Sequence, residues 1–165
     1  MNDGVITMNM SGTTGVSLQQ LVQQGTLNRL RSSIVIPSNP TLNVNADHLG
    51  PEGINFDFEG AATDFPPTMT GFVTSAAPYV GVIIRVQMLR TQGIAGAWQQ
   101  QIQQSTVLGT VKIHTDVTIT GVSSLTFRET AIRRLPPFRM DGRDPYYPVE
   151  LFGAYLINSD LLNIA

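Results

Sequence analysis

The chain reads as a mainly β domain, a sandwich or barrel of about seven to eight strands with one flanking α-helix over residues 93–104. Three observations predict this. Residues 110–120 alternate with period two, with Val111, Ile113, Val117 and Ile119 on one side and Thr110, Lys112, His114, Asp116, Thr118 and Thr120 on the other. Further short runs, among them INFDFEG at 54–60, repeat that alternation between Gly- and Pro-rich turns. Ile94, Trp98 and Ile102 recur every four residues, so one helix carries a single apolar stripe. With one substantial helix, a doubly wound parallel sheet is not expected.

In chain order, residues 1–16 show no period and suit an arm. Residues 17–24, SLQQLVQQ, fit a short helix between Ser17 and Gly25. SIVIP at 33–37 and TLNVNA at 41–46 read as strands around a Ser-Asn-Pro turn. In INFDFEG, Ile54, Phe56 and Phe58 share one face, and Asn55, Asp57 and Glu59 share an acidic one. Residues 61–68 read as a loop, because Pro66 and Pro67 cannot donate to a ladder. A short strand is expected near Met69–Val73, a turn at Ala77-Pro78 and a strand after Val80. Past the helix and the 110–120 strand, VSSLTFRETAIRRL reads as a strand ending in a bend, and residues 135–145 as an exposed loop. The last strand, YYPVELFGAYLIN, is apolar on both faces, which places it centrally or beneath the helix.

At 165 residues a single domain is expected, long enough to bury a core. Charged residues make up 13 %, about half the usual share for a soluble domain, so the polar surface comes from Gln, Asn, Ser and Thr. That composition suits a protein covered by copies of itself. The net charge of −2 offers no basic footprint for gripping nucleic acid, and it is unevenly spread. Residues 1–80 hold two arginines against six carboxylates, whereas residues 81–165 hold eight basic against six acidic groups. Nine of the ten basic residues are arginine, the residue favoured where charge is paired at interfaces. The absence of cysteine excludes disulfides, zinc thiolates and thiol catalysis. No secretory signal is read, and the longest mainly apolar run, 76–84, is too short for a membrane-spanning helix.

No catalytic constellation emerges, and the expectation is a protein that is not an enzyme and uses no cofactor or metal. His48 and His114 lack announced partners, and both read as ordinary histidines. Asp57 and Glu59 share a strand face as a glycosidase pair would, without aromatic platforms beside them. MDGRD at 140–144 lacks the acidic spacing of a calcium loop. Arg133 and Arg134 before PPFR form a small basic cluster that reads more readily as an intersubunit ion pair or a solvated turn than as a phosphate site, and Arg133, Arg134, Arg139, Asp141, Arg143 and Asp144 are the candidates for contacts between subunits.

The stretch GFVTSAAPYVGVIIRVQMLRTQGIAGAWQQQIQQSTVLGTVKIHTDV and the closing YYPVELFGAYLIN resemble the tail tube proteins of contractile-tailed bacteriophages. The likeness is one of element order over roughly residues 45–158, and it extends to bacteriocin and type VI secretion tubes. It implies hexameric rings that stack head to tail around a lumen through which the genome passes. Sheath and baseplate proteins would be the other partners, DNA would transit without specific binding, the chain would not insert in a membrane, and the virion tail, assembled in the host cytoplasm, would be the location. Asn55, Asp57, Glu59, Lys112, His114 and Asp116 become the candidates for facing that lumen. The Lys112 and His114 face is not uniformly acidic, so a lumen there would be mixed. The rival expectation is a non-enzymatic β-sandwich of a baseplate, neck or capsid decoration that binds other virion components.

Overall fold

The computed structural model describes residues 31–119, 122–137 and 142–160, and for residues 116–119 and 122 the backbone only. Among these residues, ten strands and one α-helix follow in the order β1 (Ser32–Val35), β2 (Leu49–Glu59), β3 (Thr63–Asp64), β4 (Pro67–Thr68), β5 (Gly71–Phe72), β6 (Ser75–Ala76), β7 (Tyr79–Leu89), α1 (Gly93–Gln104), β8 (Val107–Ile119), β9 (Val122–Arg134) and β10 (Tyr146–Leu156). The mainly β class with a flanking helix is therefore what the chain adopts. Six strands form one antiparallel sheet in the order β1-β8-β9-β10-β7-β2.

This sheet becomes a sandwich by bending at β9. The first half of β9 pairs only with β8, from Ile119 opposite Val122 to Val111 opposite Phe127, while its second half lies between β8, with Thr130 opposite Gly109 and Ala131 opposite Val107, and β10, which it pairs from Arg128 to Arg134. The corner lies at Glu129, whose φ of 48° is in the left-handed region, and at Gly109 across the ladder from Thr130, with φ 78°. Gly109 meets that angle without a Cβ penalty, and opposed bulges are how a strand turns from one layer into the next. Phe127, fully buried, lies just before the corner.

Alternation then does the sorting. Val82, Ile84, Val86 and Met88 of β7 stand opposite Gly153, Leu151, Val149 and Tyr147 of β10, all on the core side. They join Ile34, Ile36, Val111, Ile113 and Phe127 in one continuous cluster. Helix α1 lays Trp98, fully buried, and Ala95 on that cluster, with Ile94 and Ile102 half-buried beside them. Two contacts pin it: the Tyr147 hydroxyl donates to Gln99 Oε1 at 2.7 Å, and Asn39 Nδ2 donates to Gln101 Oε1 at 3.0 Å.

Several expectations need correcting. Residues 41–46 are not a strand: short 3-10 turns occupy Pro40–Leu42 and Ala46–His48, and between them Val44 alone bridges to Ile34. Leu42 and Val44 are buried as the alternation demanded, but two prolines' worth of turn at 37–40 leaves no length for a ladder. Residues 61–68 are not simply a loop. They form the outgoing half of a hairpin, with Thr63 opposite Ala76 and Pro67 opposite Phe72, closed at Met69–Thr70. Ala77-Pro78 is a bend in the returning half, where the Ala77 N–H donates to the Ala62 carbonyl at 3.0 Å. Strand β10 is central, between β9 and β7, yet Phe152 and Leu156 on its second face are 38 % and 36 % exposed. The arm expected at 1–16 and the helix at 17–24 lie outside the described residues.

Candidate functional site

The face of the sheet turned away from the core carries the charged groups. On β2, Asn55, Asp57 and Glu59 lie opposite Arg85, Ile83 and Gly81 of β7, as the alternation of INFDFEG requires. On β10, Glu150 lies opposite Arg85, and on β9 Arg134 lies opposite Glu150. The sheet order β9-β10-β7-β2 thus draws residues far apart in sequence into one network. Arg85 donates a short hydrogen bond to Asp57 and stands 3.6 Å from Glu150. Arg133 lies 3.5 Å from Glu59 and 3.8 Å from Glu150, with its guanidinium 5.8 Å above the Phe152 ring. Arg134 lies 3.6 Å from Glu150.

Glu150, only 19 % exposed, is the hub that three arginines share. Neither it nor Arg85 stands out in the sequence. The available signal was one carboxylate on the non-core face of an otherwise apolar strand. The hydrogen bond to Asp57 raises the Arg85 pKa above its already high value, so its charge is permanent. Three arginines face the three carboxylates Asp57, Glu59 and Glu150. The side of β2 that reads as acidic in the sequence is therefore balanced in the folded chain. Exposed pairs of this kind contribute little singly, and a shared hub orders them more than it stabilises them.

The remaining candidates are scattered. Lys112 and His114 also lie on the non-core side, opposite Val35 and Ser33 of β1, at the other margin of the sheet from Asp57. The structure does not bring the two sets together, and the side chain of Asp116 lies outside the described residues, as do Arg139 and Asp141. Arg143 is exposed, and Asp144 Oδ1 accepts from the Tyr146 N–H at 3.1 Å. His48 closes a 3-10 turn by accepting the Asn45 N–H on Nδ1 at 3.2 Å. Among the described residues no cluster of His, Asp and Glu is placed to hold a metal ion.

The unusual features are apolar and lie at the margins. The far edge of β2 has no strand partner among the described residues. By contrast, the far edge of β1 is covered: Ile34 exchanges backbone hydrogen bonds with Val44 at 2.8 and 3.0 Å, and the Ile36 N–H donates to Asn43 Oδ1 at 2.8 Å. Along the open edge stand Phe56 and Phe58, 38 % and 52 % exposed, packed edge-to-face at 5.9 Å and backed by Phe127 and Tyr155. Beyond Glu59 the hairpin of β3 to β6 exposes Phe65, Met69, Phe72 and Val73. None of its residues belongs to the core cluster. No known protein family matches the chain, and no curated protein matches it either.

Proposed function

We propose that this chain is a non-enzymatic structural subunit of a bacteriophage tail tube, associating with copies of itself into stacked rings, six-fold by the resemblance, around a lumen that the genome crosses at ejection. The observation that carries the reading is the open edge of β2 with its half-exposed Phe56 and Phe58. An unpaired strand flanked by aromatic rings invites a further strand, and natural monomers blunt such edges with lysines, prolines or bulges. Pro51 and a register shift before Ile54 blunt the first part of β2, but residues 54–59 have none of these, while the opposite edge is closed by Asn43 and Val44. The low charge and amide-rich surface suit large permanent contacts between copies. The balanced Asp57–Arg85–Glu150–Arg133 face would neither hold nor strongly repel a phosphate backbone, which suits passage of DNA without binding.

Negative-stain microscopy and sedimentation of the purified full chain test this. Rings or tubes are expected, and Phe58→Asp should disperse them while leaving the far-UV spectrum of the subunit unchanged. A wild-type chain that stays monomeric at high concentration refutes the reading.

A further inference from the structure

The exposed hairpin and one apolar hollow lie towards opposite ends of the same two strands. The hairpin leaves the sheet where Glu59 pairs with Gly81, next to Tyr79 at the start of β7. Near the other end of β7, a hollow of about 220 Å³ is bounded by Arg85, Arg134, Leu135, Pro136, Pro137 and Pro148, with Val149 and Glu150 in its wall. Six steps along the strand lead from Tyr79 to Arg85, about 20 Å at roughly 3.3 Å per residue. Phe65 and Phe72 are 59 % and 67 % exposed, so the hairpin is not folded back onto its own sheet.

The two surfaces are complementary. Phe65 and Phe72 meet edge-to-face at 5.6 Å and stiffen the hairpin into an aromatic wedge. The hollow offers prolines and Leu135, itself 69 % exposed. Next to the wedge, Asp64 is exposed and makes no ion pair among the described residues. At the rim of the hollow, Arg134 is 73 % exposed and shares Glu150 with two other arginines, which leaves it the most accessible guanidinium of that network.

Resting on the self-assembly reading, we propose that the Phe65–Phe72 wedge of one copy seats in the Leu135–Pro148 hollow of a second copy, with Asp64 meeting Arg134. Because wedge and hollow are different patches, the contact is heterologous, and each copy can give one wedge and receive another. Repetition then yields a head-to-tail array instead of a closed pair.

The chain has no cysteine, so disulfide trapping reads this contact directly. Purified full-length chain carrying both Phe65→Cys and Leu135→Cys, oxidised at assembly concentration, should give a covalent ladder of dimers, trimers and longer species. Each single variant should give at most a dimer, and an equimolar mixture of the two singles should give the mixed dimer. Adding Asp64→Arg should reduce the ladder several-fold, and adding Arg134→Asp as well should restore it. A double variant that closes an intramolecular disulfide, or forms no ladder, overturns the proposal. Sedimentation of the same sample separates the two conclusions. Oligomers without a ladder leave self-assembly standing with the hairpin docked elsewhere, whereas monomers without a ladder remove both.

Discussion

Trp98 concentrates the stability of the fold in one side chain. It is fully buried beneath α1, and its indole N–H has no hydrogen-bond partner among the described residues. Trp98→Ala should cost about 3–5 kcal/mol in urea unfolding through the cavity it leaves. Trp98→Phe should cost much less, because it also removes an orphaned donor whose burial costs about 1–3 kcal/mol. Tyr147 adds a pH dependence. Its hydroxyl donates to Gln99, and burial raises its pKa above the ordinary 10.0. A phenol whose pKa is higher in the folded than the unfolded chain contributes stability that is fully present below pH 10 and lost as the pH rises through the folded value. Unfolding midpoints should therefore fall as the pH is raised above 10, and Tyr147→Phe should flatten that part of the curve. Gly153 is closely packed: a Cβ there would stand 2.6 Å from Thr130 Oγ1 and 3.4 Å from the Arg128 carbonyl. Gly153→Ala should lower the melting temperature, and Thr130→Ala in the same chain should recover part of the loss.

At the scale of elements, the hairpin between Gly60 and Pro78 is separable from the fold. It adds nothing to the core cluster, so replacing residues 62–77 with a two-residue turn should leave the melting temperature nearly unchanged while altering assembly. Thermal unfolding of the shortened chain, beside its sedimentation profile, checks both halves of that statement. The same hairpin shows where sequence reading stops. Helix 93–104 and the alternating strand at 110–119 were legible because each writes a long period, 3.6 or two, over ten or more residues. The hairpin's strands are two residues long, so no period can form, and Pro66-Pro67 reads as an interruption. Its ladder is visible only once Thr63 is seen across from Ala76. The reverse error arose at 41–46, where real alternation of buried Leu42 and Val44 was written into turns. The charge network was hidden for another reason: alternation assigns Asp57, Arg85 and Glu150 each to a face, but only the order β10-β7-β2 makes them neighbours.

At the scale of the whole molecule, charge is sparse and the ion pairs among the described residues belong to the network around Arg85, Arg133 and Glu150, while the open margin of β2 is aromatic. Raising salt from 0.1 to 1 M shortens the screening length from about 10 to about 3 Å and weakens the exposed ion pairs, whereas apolar contacts persist. The sedimentation profile of the assembled chain should hold or shift to larger species over that range. Dissociation at high salt would mean that ion pairs hold the copies together. The bend of β9 has a different kind of consequence. One strand is hydrogen-bonded into both layers, so neither layer can open without pulling on the other, and a folding chain cannot complete one and store it while the other forms. Unfolding should accordingly be a single all-or-none event. The fluorescence of Trp98, the only tryptophan, and the far-UV signal of the strands should trace one coincident transition. Refolding should be slow, in milliseconds to seconds, because β1 must find β8 some eighty residues away before the corner at Glu129 can close around Phe127. The strand that shapes the sandwich is thus also the step its folding waits for.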